Sequence, residues 1–461
     1  MRRLSGTDTF FLTSEGPNWP MHVCGLAIVD PTDAPDFGAD HLRDVIAERL
    51  PLIPEFLCKL KTVPLGLDRP LWVHDDEFSI DNHFRRMPAP TPGGPRQLGE
   101  LVGEIMSLPL DRRRPLWELW YIEGLEGGRV ALLTKTHHSL VDGVSGAGLA
   151  EVLCDLEPNP PPSDTPIPEL EPERVPSDLE LTARGFGHTL LTPVRVGRFG
   201  VQLARQGVEL LRFSRRKEAP HSPLSFAPGT PFNRPLSGLR AFAYVSVPLD
   251  DVKELRKHFD VKINDIVLAL TASALRRYLS EIDALPEASL VASVPLSTRT
   301  EEQSGELGNR IANMMVPIAT DVADPVDRLR TIYRATIGAK EMTTALQAKK
   351  IMSLSDTTPP GVANLAWRFI ASNAESSNMM PSNLIVSNIP GPPIPIYSAG
   401  ARLESIIPVS ALLLGMGLNV TVMSYMDKID FGFVADRVLV PDLWRIAEGV
   451  PDALAELQRA I

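Results

Sequence analysis

The chain has 461 residues, 44% hydrophobic and 22% charged. That is the balance of a folded globular protein, and the length suits two or three domains. A net charge of −11 argues against bulk nucleic-acid binding, which needs a basic footprint. Three widely spaced cysteines, Cys24, Cys58 and Cys154, suggest neither a disulfide framework nor a zinc site, and fit a reducing compartment.

The opening Met1-Arg2-Arg3-Leu4-Ser5-Gly6-Thr7-Asp8 lacks the long apolar core of a signal peptide. The expectation is a cytoplasmic protein that is not secreted. Further along, Val130 to Thr136 alternates like a strand. On that period Val130, Leu132, Thr134, Thr136 and His138 share one face, and Ala131, Leu133, Lys135 and His137 share the other. The run ends in His137-His138 and turns through Asp142-Gly143 into small residues. An imidazole at a strand end is well placed for proton transfer, because histidine titrates near neutral pH. Each of these residues also has a structural role open to it: a satisfied core histidine, a helix-capping aspartate, a turn glycine.

Residues 157–168 hold six prolines, which deny both helix and ladder hydrogen bonds, so an extended linker is expected, continuing to about Asp178. It separates an N-terminal unit, 1–156, from a connector, 157–234, and a C-terminal unit, 235–461. Within the connector, Leu181 to Lys217 carries eight Arg/Lys against one acid, a net +7. Apolar residues lie among those bases. A solvated helix covering a domain seam and a basic amphipathic helix on an anionic membrane both fit.

In the C-terminal unit, Phe242–Leu249 reads as a strand and Asp250–Phe259 as a short helix. Ile266–Leu279 reads as a long apolar helix with Asn264 or Asp265 placed to cap it. Leu290–Pro295 reads as a strand, Asn419–Met426 and Ile429–Val434 as a hairpin, and Asp442–Gln458 as a terminal helix. Ser405 to Met426 is free of charge for 22 residues, long enough to span a bilayer. Its proline, glycines and alternation from Leu418 favour buried strand instead.

The segment His137-His138-Ser139-Leu140-Val141-Asp142-Gly143 resembles the HHxxxDG signature of the CoA-dependent acyltransferase superfamily. Several further segments are similar to one branch, the bacterial wax ester synthase/diacylglycerol acyltransferases. They are Leu4-Ser5-Gly6-Thr7-Asp8 with Phe11-Leu12, Pro115-Leu116-Trp117, Asn264-Asp265, Val294 to Arg299, Gly308-Asn309-Arg310, and Ser387 to Pro392. They follow the family's order across nearly the whole chain. Departures are Ser139, where relatives often carry Ala, and Glu55 to Leu60, where relatives are richer in arginine.

The resemblance implies an α/β fold of two chloramphenicol-acetyltransferase-like domains meeting at a central cleft. Acyl-CoA would enter from one side as the acyl donor and the alcohol from the other, with no permanently bound cofactor and no metal. His138 would take the acceptor hydroxyl's proton and return it to the CoA thiolate. His137 would buttress the site, and Asp142 with Gly143 would hold the loop. Lys59 or Arg299 would serve Asp142 as cation. Asn264 is a candidate oxyanion donor. Pro115, Leu116, Trp117, Asp265 and Arg299 would be structural neighbours. Asp430-Phe431-Gly432-Phe433 partly resembles the DFGWG motif of acetyltransferases and reads as scaffold. The expected acceptor is diacylglycerol, with a long-chain fatty alcohol second. Contact with a membrane or lipid droplet would be peripheral. An acyl-binding or protein-interaction role without catalysis is the rival from another class.

Overall fold

A computed structural model describes residues 2–141, 153–160, 174–189, 226–297, 311–347 and 380–461. Two six-stranded mixed sheets organise them. The first contains β2 (His22–Asp30), β5 (Phe84–Pro88), β6 (Trp117–Glu123), β7 (Val130–His137), β12 (Tyr397–Ser398) and β13 (Ala401–Val409), in the order β12-β13-β2-β7-β6-β5. The second contains β8 (Arg240–Pro248), β9 (Val291–Ser297), β10 (Ile311–Pro317), β11 (Leu384–Ile389), β14 (Leu418–Tyr425) and β15 (Lys428–Asp436), in the order β10-β9-β11-β14-β15-β8. A small third sheet joins β1 (Arg2–Arg3), β4 (Leu71–His74) and β3 (Cys58–Lys61).

The α-helices among the described residues are α1 (Gly6–Ser14), α2 (Ala39–Arg49), α3 (Pro95–Ser107), α4 (His138–Val141), α5 (Asp178–Thr189), α6 (Leu249–Phe259), α7 (Ile263–Glu281), α8 (Pro325–Gln347) and α9 (Leu443–Gln458). No helix among the described residues is long and apolar enough to cross a membrane.

β7 is apolar on both faces because the first sheet is covered on both sides. Val130 and Leu132 join the core beneath α2, while Ala131 and Leu133 join the core beneath α3. The alternation expected from sequence therefore holds along the strand. It does not extend to His138. β7 ends at His137 and His138 opens α4, because the Ser139 N–H turns back onto the His137 ring, at 3.1 Å.

Two further expectations are corrected. α7 starts at Ile263, so Asn264 lies inside its first turn rather than before it. Its capping contact comes from Asp265, whose carboxylate accepts the Lys262 N–H at 2.9 Å. The sheets also do not divide at residue 235. β12 and β13 belong by sequence to the second unit but complete the first sheet, β13 pairing antiparallel with β2. The charge-free stretch from Ser405 accordingly splits between β13 in one sheet and β14 in the other.

β13 crosses closely over β15. A side chain at Gly432 would place its Cβ 1.9 Å from the Pro408 carbonyl oxygen. Asp430, fully buried, accepts from the Ser246 hydroxyl and from the Ile406 N–H, at 3.2 Å. A second seam packs α3 on β8, where Cβ atoms at Gly99 and Gly103 would meet the Phe242 and Arg240 carbonyl oxygens at 2.7 and 2.8 Å. Replacing Gly432 by Ala is expected to destabilise the protein by about 1–3 kcal/mol, since backbone must move to admit the methyl. Urea unfolding of the Gly432→Ala chain against the parent measures it, and an unchanged midpoint would refute this close contact.

Candidate active site

The register that pairs β7 with β2 sets His137 opposite His22. The same strand end meets the Pro115-Leu116-Trp117 segment, because the His137 N–H donates to the Leu116 carbonyl at 2.9 Å. Leu116 and Trp117 are buried, and the Trp117 indole donates to the Phe56 carbonyl at 2.8 Å. Its ring stacks on His83, with centroids 4.6 Å apart. Trp117 thus supports the strand end by packing and by a satisfied N–H. Pro115 is buried beside a cavity of about 320 Å³ that Arg85, Arg114 and Glu118 also line.

The two histidines have different surroundings. His137 is 1% exposed. Its Nδ1 accepts the Ser139 N–H at 3.1 Å and lies 2.7 Å from the Ser139 hydroxyl. An accepting Nδ1 puts the proton of the neutral ring on Nε2. That nitrogen lies 3.8 Å from a Glu15 carboxylate oxygen. Burial lowers the His137 pKa to about 4, with Glu15 opposing. Glu15 is itself held by Arg112 and by the Met21 N–H.

His138 is half-buried. Its N–H donates to the Met21 carbonyl at 2.8 Å. Its ring stacks on Phe11 of α1, with centroids 3.9 Å apart and planes 24° apart. Nδ1 is buried without a partner of ordinary geometry. Burial pushes its pKa below the usual range; its own carbonyl and the Asp8 carboxylate act in the opposite direction. Among the described residues, none hydrogen-bonds Nε2 of His138. An imidazole held neutral, ordered by stacking and with a free ring nitrogen is chemically competent as a general base.

Lys135 is also fully buried, and its ammonium donates to the Ile105 and Leu108 carbonyls at 2.9 and 2.6 Å. It therefore closes the C-terminal end of α3, with Glu118 at 3.8 Å. His22 donates Nε2–H to the Met106 carbonyl at 2.7 Å, and burial lowers its pKa well below the usual value. Asn264 is half-buried in the first turn of α7 and shares no hydrogen bond with either histidine. Asp265 is buried beside a cavity of about 560 Å³, lined also by Tyr333, Thr336 and Ile337. Burial raises its pKa. Lys59 binds Asp75 at 2.6 Å. Asp142, Gly143 and Arg299 lie outside the described residues, as does most of the basic stretch from Leu181 to Lys217.

The residues that enclose the histidines without having been picked for that role are Asp8, Phe11 and Glu15. The Ser5-Gly6-Thr7-Asp8 spacing carries the signal of a capping box, which predicts a helix start but not what that helix packs against.

The two-sheet fold with a histidine-bearing strand end is one shared with acyltransferases of known structure. A trichothecene 15-O-acetyltransferase of Fusarium sporotrichioides shares the fold at a TM-score of 0.57 and 12% identity, over 99% of this chain and 94% of that one. The particular family follows from closer likenesses. The wax ester synthase/diacylglycerol acyltransferase catalytic domain matches residues 4–267, and the C-terminal domain of that family matches residues 307–458. The chain belongs to this family. It is 39% identical, over 99% of its length and 90% of the relative's, to a candidate diacylglycerol O-acyltransferase of Mycobacterium tuberculosis. The wax ester synthase/diacylglycerol acyltransferase of Marinobacter aquaeolei superposes with a TM-score of 0.73 at 30% identity, covering 100% of this chain and 99% of that one.

Acid sensitivity follows from the buried imidazoles. His137 remains neutral in the fold down to about pH 4 but protonates near pH 6.5 once unfolded. The unfolded chain therefore binds the extra proton across that window, and stability falls as pH drops from about 6.5 to about 4. The loss from His137 alone is roughly 3 kcal/mol. Unfolding midpoints measured across this range should fall steeply in the parent and less steeply in His137→Gln. Parallel slopes would remove His137 as a source.

Proposed function

We propose that this acyl-CoA-dependent acyltransferase makes triacylglycerol, moving a long-chain acyl group from CoA to the free hydroxyl of diacylglycerol. The observation that carries the chemistry is His138: an imidazole biased toward its neutral form, stacked on Phe11, with no described residue claiming Nε2. Nε2 takes the hydroxyl proton as the oxygen attacks the thioester carbonyl. The tetrahedral intermediate collapses, the C–S bond breaks, and the imidazolium returns its proton to the CoA thiolate. Atoms balance without a covalent acyl-enzyme.

Asn264 is the proposed donor to the oxyanion, a role worth about 10²–10³-fold where such donors have been removed. The proposed role of Asp142 and Gly143 is to hold the segment after His138, and that of Arg299 is to serve Asp142 as its cation. Diacylglycerol is preferred as acceptor because the Mycobacterium tuberculosis relatives carry that activity in their names. Both candidate acceptors, diacylglycerol and a long-chain alcohol, are hydrophobic, so the enzyme would work against a lipid surface, membrane or droplet.

Release of CoA from palmitoyl-CoA, with diacylglycerol or hexadecanol as acceptor, tests this. Acceptor-dependent release is expected to be faster with diacylglycerol and to fall about 10²–10⁴-fold in folded His138→Ala. Faster turnover with hexadecanol would reassign the protein as a wax ester synthase. No release with either acceptor would favour a binding role, and full activity in His138→Ala would sink the base.

A further inference from the structure

α1 carries an unsatisfied buried polar atom. Ser5 caps the helix: its hydroxyl accepts the Asp8 N–H at 3.0 Å, and one Asp8 carboxylate oxygen accepts the Ser5 N–H at 3.1 Å. This reciprocal box fixes the Asp8 side chain. It uses only one of the two carboxylate oxygens. The other, Oδ1, is buried and without a hydrogen-bond partner, in a side chain only 6% exposed overall. Leaving a carboxylate oxygen so costs more than a cap requires, since exposed residues cap helices equally well.

The face that carries Asp8 supplies the reason. Phe11 lies three residues on, hence on the same side of the helix, and it is the residue stacked on His138. α1 packs directly on α4, the short helix that His138 opens. On α4, His138 Nδ1 is also buried and has no partner of ordinary geometry; its own carbonyl is the strongest group that favours its protonation, and Asp8 is the next. A carboxylate oxygen on α1 and an imidazole nitrogen on α4 are thus both buried without conventional partners, on two helices that pack together.

Resting on the assignment of His138 as base, we propose that Asp8 is its positioning and charge-compensating residue. The helix cap aims the carboxylate, and its free oxygen stabilises the imidazolium that forms when His138 takes the acceptor proton. The other charged or titratable groups around this pair have other tasks. His137 neighbours His138 from β7, and Glu15 with Arg112 addresses His137. The Asp8 carboxylate favours the charged form of His138 against burial. The neutral ring waits as base, and the cation is stabilised only once formed, which is when catalysis gains from it.

Asp8→Asn removes the charge and keeps an oxygen to accept the Ser5 N–H. Two readouts are needed on the full chain: the pH dependence of kcat/KM, and the titration of His138 by NMR of histidine-labelled protein, with His138→Ala assigning the resonance. The sign is fixed, because losing a nearby negative charge disfavours the imidazolium. Both the His138 titration and the acid limb should move to lower pH, by about one unit. Ser5→Ala, which removes the hydroxyl but keeps the backbone N–H that holds the Asp8 carboxylate, should lower stability and leave the titration midpoint in place. Asp8→Ser repeats the charge removal should the amide pack poorly. Superimposable titrations and pH profiles in parent and Asp8→Asn would overturn the proposal, even where His138→Ala is inactive. Activity retained in His138→Ala would instead overturn the base assignment, and the NMR titration alone would then decide whether Asp8 and His138 are coupled.

Discussion

The approach of the β13 backbone to β15 governs where everything else can sit. The Pro408 carbonyl occupies the place a side chain at 432 would need, and the neighbouring Asp430 receives the Ile406 N–H from the same strand. β13 is thereby held to the second sheet through Asp430 while its own edge pairs with β2 of the first. Tyr425, on β14, adds a further tie: its hydroxyl accepts the Ile396 N–H and donates to the Leu403 carbonyl, each at 3.1 Å. β2 pairs in turn with β7. The histidine strand end is therefore two ladders away from a strand anchored in the other sheet. A change of angle between the sheets cannot leave it behind.

This dependence explains which parts were legible in the sequence. The two-face alternation of β7 is a local property of a strand buried on both sides, so reading the period was enough. Asp430-Phe431-Gly432-Phe433 was legible as scaffold through its partial resemblance to the DFGWG motif of acetyltransferases and its place in a hairpin. The crossing of β13 was not legible. Sheet order joins residues hundreds of positions apart, and no period records it. The start of α7 was misread for a different reason. Asn264 and Asp265 are both residues that cap, yet the cap of α7 is Asp265 reaching back from the third helical position. His138 was misplaced because a strand period was carried one residue past the point where the hydrogen bonding changed. The environment of the histidines was illegible for the same reason as the sheet order: α1 and β7 are far apart in the chain.

Lys135, His137 and His138 crowd one strand end, and burial disfavours the charged form of all three. Each has an acid whose field opposes that burial: Glu118 for Lys135, Glu15 for His137, Asp8 for His138. What distinguishes them is how their remaining polar atoms are used. Lys135 spends its protons on the Ile105 and Leu108 carbonyls. His137 has its Nδ1 taken by Ser139 and its Nε2 facing Glu15. Both are fixed by what they bind, so moving a proton at either would break a structural contact. His138 has its ring stacked on Phe11 and its main chain held by Met21, and no described residue hydrogen-bonds its Nε2. A proton can be added at that nitrogen without breaking a contact among the described residues. Of these three groups, that holds for His138 alone.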